Sequence, residues 1–398
     1  MVLVFPVNAL YDPVQDYSAI VPRFNGQLGY KLDSSEDFVL MAEYGENVFL
    51  LSRVSGDLIE LPIPESDKLF EVSLDIKDSL VGVGYVSTHY PGYEAAGILY
   101  LFSTEGDFNQ TVYPPMPINW GHFGASVFLG DDYLLAGETW ADHIELDEGK
   151  VHRFTYQGEY LDSLVAPESS YAATFGARID GNSEKLVISE LNGVHGMLNF
   201  GEVHIYSLDL ELERTLVSRQ SGLNDFGAAL AVTEKYLLIG ESIAQVGDYS
   251  RSGIGYLYDL GGTLIMIFES PSPVSGGLFG FSVAMNDEYV AFGEPRAEGS
   301  RVLEGAVHVF RLDGTFIETI YSPFPESNSE FGKSIAFIGD SLFVGQPGAT
   351  VDNFRNAGRV IEYSINVGTF FPSIYLVFFI VLVLIFFTGV LIFHGTRN

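Results

Sequence analysis

No cysteine occurs among the 398 residues, which excludes disulfides, thiol nucleophiles and thiolate metal sites. In an exported domain that absence suits a prokaryotic, archaeal or viral surface protein better than an animal ectodomain, where disulfides are usual. Basic residues are scarce too. Lys and Arg number 20 against 52 Asp and Glu, a formal net charge of −32, which argues against nucleic acid as a partner and against docking of the folded part on anionic lipid. There is no convincing leader: MVLVFPVNALYDPV has no basic residue, breaks its apolar run with Pro6 and carries Asp12, a poor signal peptide.

What is present in quantity is a repeat. The stretch FGFSVAMNDEYVAFGEPRAEGSRVLEGAVHVFRLDGTFIETIYSP begins at Phe279, and its Phe recurs as Phe123, Phe175, Phe226 and Phe331 at intervals of 51 to 53 residues. Weaker copies open at Phe70 and Leu28. A period of this size means a repeat architecture, here of seven units. Within each unit apolar and polar residues alternate in short runs bounded by turn residues, the period of strands. In the type copy four runs are predicted: Phe281 to Met285, Tyr289 to Gly293, Ala306 to Leu312 and Thr315 to Tyr321. Asp313-Gly314 between the last two is a two-residue hairpin signal. Four antiparallel strands repeated seven times around a circle make a β-propeller, so the fold class is all-β, a seven-bladed propeller of four-stranded antiparallel blades. The last unit lacks an obvious fourth strand, and the spacing predicts that residues 16–21 supply it. The expected organisation is an N-terminal segment 1–15, a propeller 16–367, a linker 368–370, a hydrophobic helix 371–393 and a tail 394–398.

The pairing of Phe-Gly with a later Gly-x-Pro, as in Gly293-Glu294-Pro295 and Gly345-Gln346-Pro347, followed by GAVHVF, resembles the FG-GAP repeat of integrin α-chain propellers over about residues 16 to 367. The resemblance implies the propeller fold and a role in adhesion or recognition. It also implies calcium loops of Asp-x-Asp-x-Asp-Gly type between first and second strands, from which this chain departs. Its equivalents, such as NDEY at Asn286 to Tyr289, are too short to wrap an ion needing six to eight ligands. No metal or other cofactor is therefore expected.

The run 371–393 has no charged residue and is long enough to cross about 30 Å of hydrocarbon, so it is read as one transmembrane helix anchoring the propeller. Two topologies follow. Either the propeller is exterior, on a cell surface or virion, which is the preferred reading, or the chain is tail-anchored with the propeller in the cytosol. The single sequon Asn109-Gln110-Thr111 bears on that choice.

Segments of about a dozen residues join strands two and three in every unit but the first, and alternation of a meander puts them all on one face. Function on a rigid scaffold sits on such loops. Tyr90, Tyr93, Met197, Phe200 and Phe354 are their aromatic and apolar candidates for binding a protein or glycan partner. Asp142, Glu145, Asp147 and Glu148 make the densest acidic loop, without a recognised chelating spacing. An acidic residue recurs at the end of strand two as Glu43, Glu138, Glu190, Glu241 and Glu294. It reads either as a ring at the channel mouth or as a set of structural acceptors, the second being preferred. His152, His204 and His308 share one place on strand three, a blade or more apart, and so cannot share a zinc ion.

The resulting expectation is a non-enzymatic, membrane-anchored recognition or adhesion propeller. A structural spacer joining a membrane to a larger assembly is the first alternative, and a channel-mouth enzyme the second.

Overall fold

The structure, a computed structural model, describes residues 11–18, 22–64, 71–142, 147–168, 171–195, 198–220 and 225–365. The side chains of 11, 12, 192–195, 198–200 and 365 lie outside that description. Its strands form seven four-stranded antiparallel sheets. Six are simple meanders of consecutive strands. The seventh pairs Ile335–Ile338, Ser341–Gln346 and Arg359–Ile365 with the strand Tyr11–Ser18 as its outermost member. That closing strand starts five residues earlier than the predicted 16–21 and ends at Ser18. The proline spacing located it only through the connector that follows. Side chains pin it: Arg359 donates to Asp16 (2.7 Å) and the Tyr17 hydroxyl to Glu362 (3.2 Å). Closure of this kind ties both ends of the described chain into one blade.

In the type unit the strands run Ser282–Met285, Tyr289–Glu294, Ala306–Arg311 and Phe316–Ile320. Strand two is buried along its whole length, whereas strand four is mostly half-buried. This gradient follows from geometry, because inner strands are covered by neighbouring blades on both sides. The core accordingly lies between blades. Leu40, Val48 and Leu50 of blade 1 pack on Val81, Val83 and Tyr85 of blade 2, and Leu238 and Leu257 of blade 5 on Val290 and Phe292 of blade 6.

The glycine spacing has a physical reason at these seams. Phe123, Phe175, Phe226, Phe279 and Phe331 are wholly buried. The backbone of each presses so closely on the glycine opening strand three of the preceding blade that a Cβ on Gly97, Gly253 or Gly305 would land on Phe123, Phe279 or Phe331. The strand-two glycines Gly84, Gly137, Gly293 and Gly345 in turn lie against the carbonyls of Gly124, Gly176, Gly332 and Gly29. Three residues after the Phe, a serine completes the joint. Ser73, Ser126, Ser282 and Ser334 donate to those same four carbonyls at 2.6–2.8 Å.

No helix among the described residues is long and apolar enough to cross a membrane. The predicted helix 371–393, the linker 368–370 and the tail 394–398 lie outside them.

Candidate functional site

Strands two and four both end on the face where strand one begins, so the long loops and the connectors between blades share that face. Backbone hydrogen bonds weld one to the other: Asn25 donates to Arg355, Trp120 to Glu94, Leu278 to Arg251 and Asn328 to Val302, at 2.7–3.3 Å. The weld demands unusual backbone. Among the described residues, all non-glycine positions with positive φ, apart from Asp78 and Leu210, lie in these loops and connectors, each at a cost of about 1–2 kcal/mol.

The face is apolar at its tips. In three loops a two-residue turn is closed by reciprocal backbone bonds, Tyr90 with Tyr93, Val246 with Tyr249 and Val351 with Phe354. Each turn presents an exposed aromatic residue, Tyr93, Tyr249 or Phe354. Tyr90 is half-buried, its ring 5.2 Å from that of Tyr113. Met197 lies outside the described residues, and Phe200 is described only as backbone paired with Gly193. Tyr249 was missed in the sequence, although it stands four residues before its loop-closing glycine exactly as do Tyr93 and Phe354. The connectors add exposed Phe24, Met116, Trp120 and Tyr171, which their proline-marked position between units did not single out. On the opposite face, Val54 is the one large exposed apolar residue of the tight turns among the described residues.

The acidic loop does not converge. Asp147 donates its N–H to Asp142 (2.9 Å), Glu148 is buried, and Glu145 lies outside the described residues. The strand-two glutamates form no ring at the channel. All five are buried inside their blades, and most of their partners are side chains rather than turn N–H groups. Glu138, Glu190 and Glu294 contact Nε2 of His152, His204 and His308 at 2.7–3.1 Å. The other ring nitrogen meets Ser163, Thr215 or Thr319 on strand four at 2.7–3.0 Å. Glu241 accepts from Tyr256 and Ser218 instead, and Glu43 from the Asn47 N–H. Burial pushes Glu43 and Glu241 up to about 7. Hydroxyl, imidazole and carboxylate in series are the parts of an activated nucleophile. Here the set recurs in three blades as a cross-strand pair with its glutamate, and none of it lines the cavity. It satisfies polar groups between packed sheets. In blade 4 a second carboxylate, Glu202, comes within 3.9 Å of His204.

The cavity is the central channel, about 320 Å³, lined by the first strands of all seven blades. Its lining breaks the repeat. Where four blades place the seam serine, blades 1 and 4 carry Lys31 and Arg178, with Lys333 and Glu71 beside them. Two residues further along the same strands stand Asp33, Asp75 and Asp180. Each aspartate accepts a backbone N–H from the next blade, of Ile76, Leu129 and Val232 respectively. Burial raises all three, Asp33 to about 7 and Asp180 to about 6, with like charge adding to the rise in Asp33 and Asp75. Arg178's charge, then burial, brings Lys31 down to about 7. Sequence reading passed over this group, though its signal was there: charged residues at fixed offsets from the repeat Phe.

No protein-family model matches the chain, and neither does any curated protein.

Proposed function

We propose that the chain is a membrane-anchored, non-enzymatic recognition propeller of FG-GAP type that meets a protein or glycan partner through its long-loop face. The observation that carries this reading is the asymmetry of the two faces. Exposed Tyr93, Trp120, Trp140, Tyr249 and Phe354 stand on a backbone welded by hydrogen bonds, whereas the tight-turn face is polar and rich in Asp and Glu. Rigid aromatic side chains supply contact area at low entropic cost and dominate interface energetics. The strand Arg359–Ile365 runs toward the tight-turn face.

A scaffold role is the second reading, favoured by exposed Phe108, Tyr160, Leu212, Ile265 and Phe316 on outermost strands, which suit lateral packing. The channel carboxyls with raised pKa values are what an enzyme would need. Each of them, however, is engaged by a backbone N–H, which favours binding over proton transfer.

The full chain in proteoliposomes, screened on glycan and protein arrays, tests the reading. Tyr93→Ser with Trp120→Ser and Phe354→Ser is expected to weaken a saturable hit at least tenfold, while Val54→Ser leaves it unchanged. Binding lost instead with Phe108→Ser and Ile265→Ser would overturn the loop-face reading in favour of the scaffold. Asn109 is exposed on an outermost strand, so its glycosylation in a eukaryotic host would report an exterior or lumenal propeller.

A further inference from the structure

The third residue after the repeat Phe is where blades are bolted together, and a serine there closes the seam in four of seven blades. Lys31 and Arg178 occupy that position in blades 1 and 4 and give up the bond. Arg178 donates only to the carbonyl of Ala177 (2.7 Å) among the described residues. No carboxylate of those residues lies within ion-pairing distance of Lys31 or Arg178. Both line one cavity, and Lys333 stands at its rim 4.5 Å from the Phe281 ring centroid and 5.9 Å from that of Tyr30. In a chain of net charge −32, Lys31 and Arg178 are two cations without an ion pair among the described residues at one end of a channel, where Glu71 and Asp225 also line the cavity and Lys333 pairs with Glu330 at 3.3 Å.

We propose that this end of the channel binds a small molecule by its oxyanion, a carboxylate or phosphate held by Arg178 and Lys31 with Lys333 at the rim. The guanidinium fork matches either group. A cavity of about 320 Å³ is at the small end of ligand pockets and holds more than a bare ion. One layer deeper, about 7 Å along the strand, Asp33 and Asp180 face the rest of the molecule and select hydrogen-bond donors such as hydroxyls. The groups facing Lys31 are Arg178, Glu71 and Lys333; its position near 7 makes the site strongest when it is protonated. This site is separate from the aromatic loop tips, so it stands or falls independently of the partner reading.

Calorimetric titration of the full chain in detergent at 150 mM NaCl and pH 6.5, with inorganic phosphate, acetate, glucose 6-phosphate and gluconate, tests it. Saturable binding of at least one probe is expected, weaker at least tenfold at pH 8.5 and in both Arg178→Ser and Lys31→Ser. Those variants install the residue that other blades carry, so their melting temperatures are expected to match or exceed the parent's. Preference for glucose 6-phosphate over gluconate assigns a phosphate head, and the reverse a carboxylate. Should Arg178→Ser fail to fold, Lys31→Ser and the pH dependence decide alone. Absence of saturable binding by all four probes, or equal binding to the parent and to Lys31→Ser, would overturn the proposal.

Discussion

Blades 6 and 4 follow one plan and differ at three inward positions. Blade 6 has Ser282 bonded to the Gly332 carbonyl, Gly293 flat against the same residue, and Ala306 beside a His308 that bonds Glu294 and Thr319. Blade 4 has Arg178, then Ser189 with a buried hydroxyl lacking any hydrogen-bond partner, then Glu202 close to His204. Blade 6 keeps the repeat's residue at all three positions, and its serine and glycine close a seam, although Glu294 Oε1 is buried without a partner. Blade 4 gives up a seam bond, strands a hydroxyl and adds a buried carboxylate. Departures of this kind lower stability and persist where another role sustains them.

The sharpest break of the comparison is at the glycine. Gly293→Ala puts a methyl onto the Gly332 carbonyl and the Ser282 hydroxyl, and a loss of about 3 kcal/mol or more is expected. Ser189→Ala in blade 4 should do the opposite and stabilise by about 1 kcal/mol, because it removes a buried group without a partner. Urea unfolding of both variants measures the difference. A tolerated Gly293→Ala would remove backbone approach as the reason for the repeat.

Next in size is the imidazole. His308→Ala leaves Glu294 buried with Ser270 as its remaining side-chain partner, and about 2–3 kcal/mol should be lost. Glu202→Ala in blade 4, which copies Ala306, should cost under about 1 kcal/mol. Equal costs would show that the second carboxylate belongs to the relay rather than being added to it.

The smallest effect is the pH profile, which separates Asp180 of blade 4 from Ala284 at the same place in blade 6. Raised carboxyls stabilise the folded state at low pH, and that contribution is lost as pH climbs from about 4 in the unfolded chain through the folded values of about 6 and 7 for Asp180 and Asp33. Lys31 acts in the opposite sense. Its contribution is full above the unfolded value of about 10.5 and is lost as pH falls through about 7. Stability should therefore dip near neutrality. Asp180→Asn should make the acidic side shallower, by about 1 kcal/mol between pH 4 and 7, in urea midpoints collected across that range. A profile without a minimum would contradict the burial of Asp33, Asp180 and Lys31 in the channel.

The sequence alone determined the blades, because strand period, Phe-Gly spacing and turn residues are local and repeat seven times, so that each copy corroborates the others. It also placed the long loops on one face, since alternation in a meander is a matter of connectivity. Tyr93 and Phe354 could be named from it, and Tyr249 was within reach through the same offset from its glycine. What only the tertiary structure decided was where equivalent positions meet. Along the chain the glutamate series reads either as a ring or as structural acceptors, the second being preferred; strand-two ends are sealed between sheets, so four of the five carboxylates meet an imidazole or a hydroxyl of their own blade and Glu43 meets the Asn47 N–H. Lys31, Arg178 and Lys333 lie as much as 302 positions apart in sequence and share one cavity because closure brings all seven first strands to a common axis. Local pattern specifies the unit, and circular closure, a long-range event, creates the channel and its chemistry.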